Sequence, residues 1–164
     1  MRGGGGEGGV GGRGGRGWGL SGGGLGATTV AATMHAAGLA GIQVVATGGI
    51  GGVHRGGDLD VSADLTALGT IPVAVVCSGP KAVLDVARTV EALETLGVPV
   101  IGQGVAMLPE FCTRGTDLPV SARSDDAIRS AAITDAHWRL RLPIAAVVAN
   151  PLPLRHEMDR DMSC

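Results

Sequence analysis

The sequence predicts an α/β fold in which a mostly parallel sheet is flanked by helices, an α/β/α arrangement. Short apolar runs rich in Val, Ile and Ala alternate with helical patterns along the chain, which is the order expected of βαβ units. One phenylalanine, two tryptophans and no tyrosine leave the core to aliphatic side chains, as is typical of a parallel sheet covered by helices. The length of 164 residues is enough for one domain with a substantial core.

The first 26 residues differ in composition from the rest of the chain. Sixteen of them are glycine, and such a segment cannot bury enough apolar area to offset its chain entropy, so we expect disorder. Three arginines in this segment leave RNA binding as an alternative, although RNA-binding arginine–glycine segments usually repeat their motif and carry aromatic residues. We therefore predict a glycine-rich segment over 1–26, an α/β domain over 27–153 and a polar tail over 154–164.

The first half of the domain predicts two helices and a strand. The alanine- and methionine-rich stretch 28–40 predicts a helix that ends at a glycine. The apolar run 42–46 predicts a buried strand, which leads into a glycine-rich loop over 47–57. Ser62 is a suitable N-cap for a short helix over 63–68.

The second half alternates in the same way. An amphipathic pattern over 81–96, followed by a glycine, predicts a helix. Another helix is predicted over 125–140, capped by Ser124 or Asp125, after an irregular segment at 107–120. Three apolar runs predict the remaining strands, at 71–77, 98–101 and 144–149.

The composition argues against several functional classes. A net charge of -2 provides no global field to attract nucleic acid or an anionic membrane, so we expect neither as a partner. Residues 17–53 are uncharged, but glycines and His35 interrupt them, and they predict a helix and a strand rather than a membrane span. The N-terminus lacks a signal-peptide core and the three cysteines form no CxxC pair, so we expect a cytoplasmic protein with no zinc site or disulfide framework.

Lys81, the only lysine in the chain, is the first candidate for chemistry. It follows the predicted strand 71–77 and a Ser-Gly-Pro turn, and the carboxyl ends of parallel strands are where α/β folds place their sites. A desolvated lysine amine can lose its proton and attack a carbonyl carbon, which arginine cannot do. The alternative is a solvated lysine at a helix start.

Two further clusters follow the predicted strand 42–46. The glycines of the loop 47–57 expose N–H groups that, with His54 and Arg55, are suited to cradle a phosphate, although a tight structural loop fits the same pattern. Three carboxylates, Asp58, Asp60 and Asp64, are suited to hold a hard divalent cation together with water and substrate oxygens. The alternative is that these acids cap a helix on a surface turn.

These clusters belong to longer stretches that stand in order across residues 27–153: ATTVAATM, LAGIQVVATGGIGGVHRG, DVSADL, PVAVVCSGPKAVLD, EALETLGVPVIG and VVANPLP. Together they resemble the pseudouridine-5′-phosphate glycosidase family, which includes indigoidine synthase A-like proteins. The resemblance implies an enzyme, a glycosidase or lyase that reversibly cleaves the C–C glycosidic bond of pseudouridine 5′-phosphate to give uracil and ribose 5-phosphate. It also implies a homotrimer with one Mn²⁺ ion as cofactor.

The resemblance also implies roles for individual residues. Lys81 would attack the anomeric carbon, open the ribose ring and form a Schiff-base adduct that acts as an electron sink. Asp60 matches a manganese ligand of the family. The remaining matches are substrate-binding positions, with Val30 contributing through its backbone: Val30, Thr47, His54, Ser62, Ala63 and Asp64.

The sequence departs from the family pattern at both ends. A general-acid glutamate and a phosphate-binding lysine precede the matched region in the family, whereas here the glycine-rich segment stands in that place, and its Glu7 has no matching context. About the last third of the family domain has no counterpart after Pro153, and Pro80 replaces a smaller residue beside the nucleophile. The alternative to an enzyme is therefore a non-catalytic α/β binding or assembly domain derived from this family.

Overall fold

The computed structural model describes residues 10–11, 27–56 and 60–158. The disorder predicted for residues 1–26 therefore lies outside the described residues, apart from a two-residue strand that pairs in parallel with residues 27 and 28. In chain order the strands are β1 Val10–Gly11, β2 Ala27–Thr28, β3 Val44–Ala46, β4 Val53–His54, β5 Ala74–Cys77, β6 Leu84–Asp85, β7 Val100–Gln103, β8 Ala122–Ser124 and β9 Ala146–Ala149. The α-helices are α1 Val30–Leu39, α2 Ala63–Leu68, α3 Val86–Thr95 and α4 Ala127–Arg139, and a 3₁₀ turn spans Leu154–His156.

Five strands form one sheet in the order β3-β5-β9-β7-β8, and every neighbouring pair in it is parallel. Strands β4 and β6 form a separate antiparallel pair. The predicted α/β class with a mostly parallel sheet is confirmed. The carboxyl ends of the parallel strands meet at one edge of the sheet, which is where such folds place their sites.

Each α-helix begins at a side chain that accepts a hydrogen bond from the first turn. The helices α1 and α2 begin after Thr29 and Ser62, as the sequence predicted for α2. Asp85 caps α3 by accepting from the Arg88 N–H at 3.0 Å. Asp126 caps α4, one residue beyond the caps that the sequence favoured, and accepts from the Arg129 N–H at 2.7 Å.

The sheet is covered unequally on its two faces. On one face the side chains of Val75, Cys77 and Val147 join a large apolar cluster with helices α1, α2 and α3. On the other face a smaller cluster around Ile101 and Val148 packs against α4. The helices therefore flank the sheet on both faces, with most of the buried apolar area on the side of α1 to α3.

Strand β3 is an edge strand, although the sequence predicted a buried one. Val44 is 58% exposed and Ile42 is 52% exposed. Within the described residues β3 pairs with β5 on one side only. The apolar run 42–46 correctly indicated a strand, but its composition carries no information about what covers its second side.

One helix boundary predicted in the second half is wrong, and one strand there was not predicted. The helix expected over 81–96 begins only at Val86, because Leu84 and Asp85 are drawn into β6 by antiparallel pairing with β4. Strand β8 was missed altogether. It is three residues long and includes Arg123 and Ser124, so it lacks the apolar run by which the other strands of this sheet were found.

Residues 154–158, the start of the predicted polar tail, are hydrogen-bonded to the segment around Arg114. The Arg114 N–H donates to Glu157 Oε1 at 2.9 Å, and the Met158 N–H donates to the Cys112 carbonyl at 3.0 Å. Cys112 is disulfide-bonded, which the spacing of the cysteines did not predict. In the part of the chain that is described, no helix is both long and apolar enough to cross a membrane.

The Thr89 hydroxyl joins α3 to β4 and gives a test of this packing. Thr89 is fully buried, and its Oγ1 accepts from the Val53 N–H at 3.0 Å while donating to the Asp85 carbonyl at 2.7 Å. Thr89→Val should lower the free energy of unfolding in urea by about 1–3 kcal/mol, because it leaves a buried N–H without a partner. Thr134→Val is the matched control, since that buried hydroxyl only donates to a carbonyl within α4. Equal effects of the two substitutions would contradict this account.

Candidate functional site

A pocket of about 660 Å³ opens where β3 and β5 end. The amino end of α1, from Thr28 to Thr33, forms one wall, and the glycine-rich loop after β3 forms another. Lys81, Val83 and Phe111 contribute from the far side. The volume is within the range of small-molecule sites, and its position at the carboxyl ends of parallel strands is the usual one.

Most of the residues predicted from the sequence come together at this pocket. Those that line it are Val30, Thr47, His54, Ser62, Asp64 and Lys81. Ala63 and Asp60 do not line it; Ala63 is the exposed first residue of α2, and Asp60 lies beside His54 at the exposed end of the glycine-rich loop. The structure thus brings six of the predicted residues to one pocket from segments that are far apart along the chain.

Lys81 lies in a turn, not in the first turn of a helix. The turn passes very close to a neighbouring segment at Gly79, which has φ +94, and a Cβ there would lie 1.9 Å from the Pro109 carbonyl oxygen. The backbone N–H of Lys81 donates to the Ile50 carbonyl at 3.1 Å. Its side chain is exposed and makes no hydrogen bond or ion pair with any of the described residues. The amine is therefore unencumbered at the pocket.

The glycine-rich loop forms a wall of the pocket and is tied into the fold by several of its N–H groups. Thr47 donates to Val76, Ile50 to Gly79, and Gly51 to the Asp64 carboxylate. The N–H groups of Gly48 and Gly49, which line the pocket, have no partner among the described residues. The loop therefore has a structural role and still leaves two donors that are suited to an anion.

Asp64 is a buried residue whose carboxylate joins α1 to this loop by hydrogen bonds. It is 3% exposed, and its two carboxylate oxygens accept from the Ala31 N–H and the Gly51 N–H, each at 2.8 Å. Hydrogen bonds to an ionised carboxylate are stronger than neutral ones. Gly51 has to be glycine here, because a Cβ would lie 2.2 Å from the Ser62 hydroxyl. Asp64 therefore sets the distance between two walls of the pocket.

Val30, at the first position of α1, has a backbone N–H with no partner among the described residues. It lies at the N-terminus of α1, where the next two N–H groups, those of Ala31 and Ala32, donate to Asp64 and Thr29. A helix amino end carries partial positive charge that favours an anionic group. The predicted backbone contact from Val30 to substrate thus has a free donor.

Of the three predicted cation-binding acids, Asp58 lies outside the described residues and Asp64 is engaged by two N–H groups, so Asp60 is the described residue that could hold a divalent cation. Its carboxylate is 73% exposed, and Oδ2 lies 3.9 Å from His54 Nδ1. The described residues contain no group of three or more His, Cys, Asp or Glu side chains that could hold a metal ion. This donor set fits a cation bound by one carboxylate and completed by water and substrate oxygens, which is a common arrangement for Mg²⁺-like ions.

Phe111 is one of several pocket-lining residues that the sequence did not predict, as are Thr29 and Thr33. Its backbone is in the left-handed region at φ 47, and its N–H donates to the Ser78 carbonyl at 2.8 Å. Its ring lies so close to Gly49 that a Cβ there would be 2.6 Å from Cδ2. The available signal was that this is the only phenylalanine of the chain, placed in the segment predicted to be irregular.

Cys77, just before the turn that carries Lys81, is a core residue. It is 3% exposed, and burial raises the pKa of its thiol to about 11. A thiol protonated at neutral pH is a poor nucleophile. Cys77 therefore does not compete with Lys81 for electrophiles.

The comparison with protein families agrees with this geometry. The family described as indigoidine synthase A-like protein matches residues 16–163. The chain belongs to this family. Among curated relatives, it is 51% identical over 136 residues to a pseudouridine-5′-phosphate glycosidase of Caldanaerobacter subterraneus, covering 82% of this chain and 44% of that protein. It is 52% identical over 138 residues to one of Clostridium botulinum, covering 83% of this chain and 45% of that protein.

Two solved structures share the fold. An indigoidine synthase A-like protein of Thermotoga maritima superposes with a TM-score of 0.78 at 38% identity, over 83% of this chain and 46% of that one. The prealnumycin C-glycosynthase AlnA, solved in complex with ribulose 5-phosphate, has a TM-score of 0.87 at 43% identity, over 92% of this chain and 50% of that one. This family member thus spans about half the length of the relatives that it matches.

Because Asp64 joins α1 to the glycine-rich loop, removal of its carboxylate should lower the stability of the protein. Asp64→Ala should lower the free energy of unfolding by about 3 kcal/mol, because two buried N–H groups lose a charged acceptor. Urea unfolding followed by circular dichroism measures this. Asp117→Ala, at an exposed acid, serves as the control and should change stability by no more than about 0.5 kcal/mol. Similar losses in the free energy of unfolding for both variants would contradict the proposed role of Asp64 in joining α1 to the loop.

Proposed function

We propose that this chain carries the nucleophile side of a pseudouridine-5′-phosphate glycosidase site. The reaction is the reversible cleavage of the C–C glycosidic bond of pseudouridine 5′-phosphate to uracil and ribose 5-phosphate. The observation that carries the proposal is the single lysine, with an unencumbered side chain, at a pocket assembled from the matched stretches. Relatives about half identical to this chain are named for that activity.

The proposed chemistry begins at the Lys81 amine. The neutral amine forms a bond to the anomeric carbon while the bond from that carbon to the ring oxygen breaks. The new ammonium then loses a proton, which restores the nitrogen lone pair, and the ring oxygen takes up a proton. The nitrogen lone pair then forms an iminium as the C–C bond to the base breaks, and the base carbon that receives this electron pair is protonated. Water hydrolyses the iminium, which releases ribose 5-phosphate and restores the amine.

The pocket supports a sugar-phosphate substrate. The free Val30 N–H and the positive end of α1 favour an anionic group. The AlnA structure, which shares this half of the fold, was solved with ribulose 5-phosphate. Thr47, His54 and Ser62 place hydroxyl and imidazole groups along the same pocket, where they are suited to hydrogen-bond sugar hydroxyls.

Asp60 is the proposed ligand of one Mn²⁺ ion, with water and substrate oxygens completing its coordination. When bound, such a cation would supply charge stabilisation for oxygens of the sugar phosphate. The backbone N–H of His54 donates to the Asp60 carbonyl at 2.9 Å, and its Nδ1 lies 3.9 Å from the Asp60 carboxylate. The proposal needs no further protein ligand.

The assembly and compartment proposed here follow the family. We infer a homotrimer, and a cytoplasmic location, because phosphorylated nucleosides do not cross membranes unaided. Because the chain spans about half of its relatives, the competing function is a binding or assembly domain that keeps the fold without the chemistry. The two functions differ in whether Lys81 reacts with ribose 5-phosphate.

Trapping of the sugar on Lys81 is the decisive experiment. The purified chain is incubated with ribose 5-phosphate and Mn²⁺, reduced with borohydride, and analysed by intact-mass spectrometry. The imine forms with loss of water, and hydride converts it to a stable secondary amine. We expect one ribose-phosphate adduct on wild type and none on Lys81→Arg, with peptide mapping to separate Lys81 from the terminal amine. A folded wild-type chain that forms no adduct would favour the binding-domain function.

Removal of the proposed metal ligand should weaken Mn²⁺ binding. Asp60→Asn replaces a charged oxygen ligand by a neutral amide, so the Mn²⁺ affinity measured by electron paramagnetic resonance should fall by about ten-fold or more. Asp117→Asn is the matched control at an exposed acid away from the pocket. Equal Mn²⁺ affinity of Asp60→Asn and wild type in the presence of ribose 5-phosphate would reject Asp60 as the ligand.

A further inference from the structure

Arg55 holds the short segment that carries Lys81. Its Nε donates to the Leu84 carbonyl at 2.9 Å, and its Nη2 donates to the Ala82 carbonyl at 3.0 Å. A planar guanidinium presents several donors in a fixed fork, so it can bind two carbonyls that flank one residue. The guanidinium of Arg55 is thus committed to the backbone next to the lysine and does not line the pocket.

Few other contacts fix the segment that Arg55 holds. Pro80 and Leu84 are buried, but Lys81 is exposed and Val83 is 57% exposed, so packing anchors only the two ends. Leu84 also pairs with His54 in the β4–β6 pair. The other backbone bonds of this stretch are from the Lys81 N–H to the Ile50 carbonyl, and from the Leu84 N–H to the Lys81 carbonyl. The two Arg55 bonds are the side-chain contacts that the described residues make to its carbonyls.

A largely buried acid lies near the guanidinium of Arg55, whose own side chain is 66% exposed. Nη2 lies 3.9 Å from Glu110 Oε1, and the Glu110 side chain is only 14% exposed. Glu110 is adjacent to Phe111, whose N–H binds the turn before Lys81. Arg55 therefore connects the end of β4, the lysine segment and the 110–111 wall of the pocket.

From this geometry we propose that Arg55 is a positioning residue for Lys81. By fixing the carbonyls on the C-terminal side of the lysine, it confines the backbone from which a long flexible side chain must reach the anomeric carbon. A displacement of about 1 Å at a reacting group can cost about 100-fold in rate. The inference rests on the proposed function, since it concerns the reaction of Lys81 with a sugar phosphate.

The test compares the rate of adduct formation with the intrinsic reactivity of the lysine. The full chain is treated with ribose 5-phosphate and cyanoborohydride, and the limiting rate and the half-saturating sugar concentration are measured by time-resolved mass spectrometry. Formaldehyde with cyanoborohydride is the second probe, because this small aldehyde methylates an accessible amine without needing a positioned site. Lys81 is the only lysine, so peptide mapping makes both readouts specific.

Arg55→Lys keeps the charge beside Glu110 but cannot span both carbonyls. We expect it to lower the limiting rate of adduct formation by about ten-fold or more, while the half-saturating concentration and the rate of formaldehyde methylation stay at wild-type values. Arg55→Gln can still donate to one carbonyl. Its limiting rate of adduct formation should therefore equal that of Arg55→Lys or lie between the rates of Arg55→Lys and Arg55→Ala. Arg129→Lys, at an exposed arginine of α4, should behave as wild type.

The outcomes separate this inference from the proposed function. If the adduct forms on Arg55→Lys at the same limiting rate as on the wild type, the positioning role is overturned and the proposed function stays intact. An equal slowing of adduct formation and formaldehyde methylation also overturns it, since a general loss of access or fold would then explain the effect. Absence of any adduct on folded wild-type chain overturns the proposed function and the role of Arg55 with it.

Discussion

The pocket depends on a parallel backbone ladder that continues beyond the ends of β3 and β5. The Thr47 N–H binds the Val76 carbonyl, Ser78 binds Gly48, and Lys81 binds Ile50, so the two segments stay paired after both strands have ended. At several positions the paired segments also lie so close to neighbouring residues that a side chain would not fit between them. Gly49, Gly51 and Gly79 each lie where a Cβ would collide with Phe111, Ser62 or Pro109. These three glycines are therefore needed for the close approach of the neighbouring segments.

Asp64 adds the second constraint, because it ties this ladder to α1. A buried carboxylate is tolerated only when its oxygens are satisfied, and here two backbone N–H groups satisfy them. The same two bonds fix the amino end of α1 against the loop, which leaves the Val30 N–H directed away from the protein's own acceptors. One side chain thus determines both the stability of the junction and the donor that remains for a ligand.

The sequence predicted the fold class and the main helices because each has a local signal, whereas most of the predicted pocket residues came from the resemblance of longer stretches to the family. The helix α2 and its cap were predicted to the residue, and Lys81 followed from its position after an apolar strand. Strand β8 and the pair β4–β6 were not predictable in this way, since Arg123, Ser124 and His54 give no apolar run and their pairing is decided by partners far along the chain. Phe111 was missed for a similar reason. Its place in the pocket results from a left-handed backbone and from the space left by glycines more than sixty residues earlier.

The exposed edge at β3 has a physical consequence for the site. Val44 and Ala46 lie in register with Ala74 and Val76, on the face of the sheet that α4 covers only over β7, β8 and β9. An open strand with exposed apolar side chains is a surface that proteins usually cover or pair. The pocket begins at the end of this same strand, since Val45, Ala46 and Thr47 all line it. Any segment or partner that paired with β3 would therefore adjoin the pocket, so stabilisation of this edge and ligand binding at the pocket are physically coupled.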